Sequence, residues 1–225
     1  MIWAYLLIAV IAYLIGGLPI GVIIANTRGI DIRKYGSGKT GMTNVLRTLG
    51  KRAAVLVLVG DFLKGALAVA VARYISSTFL EPDARVSWLN DAVSVQTLAM
   101  AIAAAAVVSG HVWSVYMKLI TGEWSGGRGV ATAMGALFVI NLWIFLLAVA
   151  VGILTILISR YVSLGSIVGV VASLVAIVLL VAVGYMNAFS LLYLLIGVFI
   201  IVAHRDNIER LLKGTERKIG EKVKL

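Results

Sequence analysis

The chain has 225 residues, 61% of them hydrophobic, with a mean hydropathy of +1.05 and a formal net charge of +10. That composition excludes a soluble domain: most of the chain must lie in lipid, where a backbone satisfies its polar groups as helix, and continuous apolar runs argue against a β-barrel. The lack of cysteine excludes disulfides and thiolate chemistry, and with His111 and His204 as the sole imidazoles no metal site and no cofactor is expected.

The first predicted span is Ile2–Ala25. It has no basic leader and runs too long for the apolar core of a signal peptide, so it reads as a retained helix. The loop Asn26–Arg52 follows, with seven Lys and Arg and the run Gly36-Ser37-Gly38-Lys39-Thr40-Gly41. Gly36 and Gly38 allow the unusual dihedrals of an anion-binding nest, and Lys39 adds a cation beside it. Thr43, Asn44 and Arg47 fall on what reads as a short helix whose N-terminus contributes its positive dipole. Arg47 suits bidentate phosphate contact, while Ser37 and Thr43 can donate hydroxyl hydrogen bonds. A nucleotide P-loop does not fit: Arg33 stands where its first glycine is needed, and no strand precedes it. The plain alternative is a basic loop that fixes topology.

Next comes the span Ala53–Ala72, in which Asp61 and Lys64 share a helical face. Charges within a span are costly, so an ion pair is expected ahead of a Lys64 that reaches a pocket. The segment Ile75–Asp91, with Glu81, Asp83 and Asp91, reads as a polar outer connection. Val93–Val108 is the third span, with a possible extension to Met117. Its end leads into Gly110–Gly129, where His111 opens the loop and Gly126-Gly127-Arg128-Gly129 repeats the nest logic before another helix. Arg128 is the natural second phosphate ligand there, although glycine turns between membrane helices are also common. The stretch Val130–Ile158 would form a helix of about 44 Å, against a hydrocarbon core of about 30 Å. Two spans, Val130–Ile140 and Asn141–Ile158, fit better.

Ser163 sits at the start of the span Val162–Val183, as a helix cap or a ligand contact. The last span is Ala188–Ala203. Beyond it, Ile208, Leu211, Leu212 and Ile219 recur at helical spacing among Lys and Arg, the pattern of an amphipathic helix on an anionic inner leaflet. His204 and Asn207, one turn apart, can face the other loops together; His204 could serve as base, donor or helix-end cation.

The expected fold is an all-α polytopic membrane bundle of about seven transmembrane helices, forming one domain over 1–225 with a basic cytoplasmic tail over 204–225. With the N-terminus outside, seventeen of the twenty Lys and Arg fall on the inner side, as the positive-inside rule favours. That orientation and attraction to anionic lipid explain the charge, and no nucleic-acid partner is expected. It also puts the three basic segments on one face, where they can form a single pocket for phosphate-bearing molecules.

Four blocks carry a closer resemblance: Gly36–Gly50 with Asp61–Gly65, Gly110-His111 with Gly126–Thr132, Arg160–Ser166, and His204–Lys218. In order and spacing, over nearly the whole chain, they are similar to the signature blocks of the bacterial acyl-phosphate:glycerol-3-phosphate acyltransferase family. The resemblance implies a seven-helix plasma (inner) membrane enzyme with its site on the cytoplasmic side. It would move a fatty acyl group from acyl phosphate to the primary hydroxyl of glycerol 3-phosphate, giving lysophosphatidic acid and phosphate. Carried over by position, Ser37, Arg128 and His204 are the catalytic candidates. Thr43, Asn44, Arg47, Ser163 and Asn207 match substrate-pocket residues, Glu216 matches the acidic residue of the last block, and the loop residues Gly36, Gly38, Lys39, Gly126, Gly127 and Gly129 complete the binding set. The chain departs from the family pattern at Lys39, Met42, Ser114 and Arg128, and around Thr121–Ser125. Competing readings are an organic-phosphate transporter, a diverged paralogue that acylates another phosphate-bearing acceptor, and a noncatalytic lipid-binding scaffold.

Overall fold

The structure is a computed structural model that describes residues 2–81 and 92–221. The polar connection expected around Asp83, Arg85 and Asp91, and the last basic residues Lys222 and Lys224, lie outside the described residues. Eleven α-helices and two short 3-10 turns make up the described chain, with no strand among those residues.

Helix α1 (Ile2–Gly17) stops before Leu18-Pro19, because proline offers no N–H to continue the ladder; α2 (Ile20–Asn26) completes the apolar segment. The first expected span is therefore two helices. After a 3-10 turn at Ile32–Lys34 come α3 (Met42–Leu49) and α4 (Lys51–Phe79). Helix α4 runs about 44 Å, longer at both ends than Ala53–Ala72. It is followed by α5 (Ala92–Val112) and α6 (Val115–Thr121), whose N-cap Ser114 accepts from Met117 N–H and donates to the Gly17 carbonyl.

The long apolar stretch after Gly129 does break at Asn141, as its length requires. There α7 (Val130–Ile140) gives way to α8 (Leu142–Ser159), and Asn141 Oδ1 caps α8 by accepting from the N–H groups of Trp143 and Ile144, both at 3.0 Å. Helix α9 (Val162–Ala182), a 3-10 turn at Ala188–Leu192, α10 (Tyr193–Ala203) and α11 (Arg205–Leu212) close the chain.

Five segments are long and apolar enough to cross a membrane: Ile2–Asn26, Lys51–Phe79, Val93–Thr121, Leu142–Ser159 and Val162–Ala182. A sixth is counted if Ala188–Ala203 and Arg205–Leu212, bent by 54°, form one span. Seven were expected. The remaining one, α7, is a shorter apolar helix of 11 residues, about 16 Å long.

The tail also differs from expectation. Its helix ends at Leu212, and Ile219 lies beyond it, with its N–H donating to the Arg160 carbonyl at 2.8 Å. Helix α11 buries Asn207 on the cavity side and leaves Leu212 84% exposed, as a lipid-facing residue of an amphipathic helix is. The polar face turns inward because the space it meets is polar.

Candidate active site

The first glycine loop is shaped by its own sequence. Asp31 accepts from the Arg33 N–H and pairs with its guanidinium through two 2.8 Å contacts. These hold the Asp31 carboxyl below its ordinary value. Gly36 and Gly38 then take positive φ of 62° and 69°, which glycine alone adopts without strain. Asn44, on α3 and 2% exposed, clamps the result. Its Oδ1 accepts from the Ser37 N–H at 3.0 Å, and its Nδ2 donates to the carbonyls of Ile32, Tyr35 and Lys39. Both ends of the amide thus hold the loop, and Asn44, expected to contact substrate, also lines the cavity that the loop borders.

The second loop ends at Gly129, with φ of 85°, immediately before α7. That turn aims Arg128 inward. Its Nε is buried without a hydrogen-bond partner. Burial is the chief cause that lowers the Arg128 pKa, assisted by nearby Arg210 and opposed by Glu216 and Asp206. Arg47, also lowered mainly by burial, donates to the Arg217 carbonyl at 3.0 Å. A guanidinium desolvated without a carboxylate across from it is a strong anion receptor.

The third contribution comes from α9, α10 and the tail. Glu216 accepts from Ser163 Oγ at 2.9 Å and Asn207 Nδ2 at 2.8 Å through Oε1, and from Arg210 Nε at 2.7 Å through Oε2. Burial alone would raise its pKa, but the hydrogen bonds from Arg210, Asn207 and Ser163 outweigh it and the value is lowered. Glu216 is therefore a latch that closes the tail over α9 and α11. A carboxylate so engaged does not repel a neighbouring phosphate as a free one would. Asn207 Oδ1 remains buried and unpartnered. His204, 3% exposed, places Nδ1 2.8 Å from the Ile200 carbonyl. A carbonyl can only accept, so the proton is on Nδ1 and the lone pair on Nε2.

All three segments meet at one cavity of about 520 Å³. Its polar end is lined by Ser37, Lys39, Thr43, Asn44, Arg47, Arg128, Gly129, Ser163, His204, Asn207 and Glu216. Gly36, Gly38, Gly126 and Gly127 do not line it; they shape the loops behind it. Between α4, α7, α8 and α9 the cavity continues as an apolar trough that includes Leu58, Phe62, Met134, Phe145, Ile153 and Val170. Three lining residues were not anticipated: Arg210, Asp61 and His111. Arg210 had a signal, since it lies three residues after Asn207 and so on the same face of α11. Among the described residues no cluster of His, Asp and Glu could hold a metal ion.

The cavity thus joins a cationic mouth to an apolar trough inside a helical membrane bundle. Sequence comparison gives the chemistry: the chain belongs to the glycerol-3-phosphate acyltransferase family, whose profile matches residues 6–214. It is an integral membrane, multi-pass acyltransferase. Glycerol-3-phosphate acyltransferases of Clostridioides difficile and of a Synechocystis species are 41% and 44% identical to it. The first alignment covers 98% of both chains, the second 97% of this chain and 92% of the relative. The fold is similar to crystal structures of PlsY, an integral membrane glycerol 3-phosphate acyltransferase, in its glycerol 3-phosphate form (TM-score 0.77) and its lysophosphatidic acid form (TM-score 0.75). Both are 35% identical and cover 96% of each chain.

Proposed function

We propose that this chain transfers a fatty acyl group from acyl phosphate to the primary hydroxyl of glycerol 3-phosphate, releasing lysophosphatidic acid and inorganic phosphate, the first step of phospholipid synthesis. The observation that carries this reading is the union of the desolvated Arg47 and Arg128 guanidinium groups and an apolar trough in one cavity. The charged ends of both substrates belong at its mouth, and the acyl chain in the trough between α8 and α9.

Acyl phosphate is already activated, so no covalent nucleophile is required. The harder task is holding two phosphate-bearing anions together: two dianions about 6 Å apart at an effective dielectric near 20 repel by about 11 kcal/mol. Arg47, Arg128, Lys39 and the loop amides offset that repulsion and hold the hydroxyl near the acyl carbonyl carbon. The hydroxyl oxygen forms the new ester bond, the bond from carbonyl carbon to phosphate oxygen breaks, and phosphate leaves with the bonding pair. Ser37, which lines the cavity, would donate to the carbonyl oxygen as charge develops there. Two groups can take the hydroxyl proton: His204 Nε2, whose lone pair is free, and the departing phosphate. Asn207 Oδ1 offers an acceptor to a glycerol hydroxyl.

We take residues 1–225 as a single domain in a bacterial inner membrane, N-terminus outside and site on the cytoplasmic face, with seventeen of the twenty Lys and Arg on that side as support. The basic tail then meets the anionic inner leaflet. An organic-phosphate transporter is disfavoured because the residues that α7, α8 and α9 give the cavity are nearly all apolar or small. Purified protein given acyl phosphate and glycerol 3-phosphate is expected to form lysophosphatidic acid, with acyl-CoA as the comparison donor. Product from acyl-CoA alone would reassign the donor, and no product with either would refute the reading.

A further inference from the structure

Beneath the second glycine turn lies a buried charged cluster for which the transfer step has no use. Asp61, Lys64 and His111 are 2%, 5% and 7% exposed. Lys64 Nζ stands 2.7 Å from Asp61 Oδ1, 2.7 Å from His111 Nδ1 and 3.1 Å from the Leu18 carbonyl. An ammonium has three N–H donors and no acceptor. Those donors suit the three oxygen and nitrogen neighbours, and His111 Nδ1 lies 3.4 Å from Asp61 Oδ1 as well. The other ring nitrogen, His111 Nε2, abuts Gly127, where an added Cβ would collide with it.

The main chain tightens the same junction. Gly127 N–H donates to the His111 carbonyl at 3.3 Å, and Thr40 N–H, from the first loop, to the Gly126 carbonyl at 3.5 Å. A Cβ on Gly126 would strike that His111 carbonyl. An ion pair that served only to neutralise two charges in a span would need no third member. Here it reaches from α4 to the break between α1 and α2 and to the end of α5. Those are the elements that seat both glycine loops, and Arg128 follows Gly127 directly.

We propose that His111 is a positioning residue for the acceptor: its ring, oriented by Lys64 and Asp61, is the seat of the Gly126–Gly129 turn and so fixes where Arg128 meets the phosphate of glycerol 3-phosphate. The proposal rests on the acyl-transfer reading and deepens it. Phe145, Ile153 and Val170 of α8 and α9, which line the trough for the donor's chain, take no part in this cluster, so the larger effect is expected on the acceptor.

The test is a double-mutant cycle of His111→Ala and Gly127→Ala in the purified full chain, with initial rates taken against each substrate in turn. Each single variant is expected to raise the KM for glycerol 3-phosphate at least tenfold, with the KM for acyl phosphate within twofold of wild type. Because His111→Ala removes the ring that the new methyl would strike, adding Gly127→Ala to it should change the acceptor KM by less than twofold. His111→Gln, whose carbonyl can still accept from Lys64, keeps the cluster paired if the alanine variant fails to fold, and should raise the acceptor KM by a smaller factor. An unchanged acceptor KM in the folded His111 variants, parallel rises for both substrates, or equal damage by Gly127→Ala with and without the ring would each overturn the assignment. Wild-type protein that acylates glycerol 3-phosphate while the cycle shows no coupling sinks this proposal alone; wild-type protein without turnover sinks both.

Discussion

Arg128 and Glu216 show how far one side chain's role depends on what surrounds it. Arg128 is desolvated with Nε unpartnered, so its charge is available to an anion. Replacing it with Ala is expected to lower kcat/KM for acyl transfer at least a hundredfold, about 2.7 kcal/mol of transition-state stabilisation. Arg128→Lys, which keeps the charge but loses the fork, should lose less, roughly tenfold. Equal activity in both variants would remove Arg128 from the site. Glu216 is the opposite case, a charge wholly engaged by three donors. Its pKa is lowered in the folded chain relative to an ordinary 4.5. Its contribution is therefore complete above pH 4.5 and is lost as pH falls through the lowered folded value. Glu216→Gln should lower stability at pH 7 by about 1–3 kcal/mol, and thermal melting should show the difference closing below pH 4.5. A difference that persisted there would mean the carboxylate is not the latch. The candidate residues were legible as residue types at suitable spacing. Their division into ligand and framework was not, because nothing local to Asn44 or Glu216 tells whether its partner will be a substrate or a group of the chain itself, five to fifty-three residues away.

At the level of elements, composition predicted helices well and their ends poorly. Apolar continuity signals a helix, but termination depends on local events such as proline at 19 or the Asn141 cap. The tail is the clearest instance: its periodicity ran on to Ile219, whereas α11 ends at Leu212. Packing between helices relies on close backbone approach. A Cβ at Gly65 on α4 would collide with the Thr132 carbonyl of α7, and one at Gly135 on α7 with the Phe62 carbonyl of α4. Gly65→Val should consequently destabilise the bundle by about 1–3 kcal/mol through overpacking. Leu67→Ala, at a 54% exposed position, should change stability by less than about 0.5 kcal/mol. Thermal melts of the two detergent-solubilised variants compare them directly, and equal losses would mean the α4–α7 contact is not close-packed. Since α7 carries the Arg128 turn at its start, activity should fall with stability in the glycine variant.

For the molecule as a whole, orientation is the quantity to measure. The chain has no cysteine, so single cysteines can be introduced without background. In intact cells an impermeant maleimide should label Trp3→Cys and leave Leu212→Cys unreacted until the membrane is opened; these positions are 82% and 84% exposed. The reverse pattern would invert the proposed topology and move the site to the other face. The sequence by itself determined that the chain lives in lipid as helices, because an unpaired backbone group is too costly there to allow otherwise. It also determined that three glycine-rich basic segments stand apart from the apolar runs. Tertiary structure alone decided that those segments share one cavity, that Lys64 Nζ comes within 2.7 Å of His111 Nδ1 across two helices, and that α7 packs backbone-close against α4. Such contacts join residues far apart in the chain, and their energies depend on distance and desolvation, neither of which exists until the helices are packed.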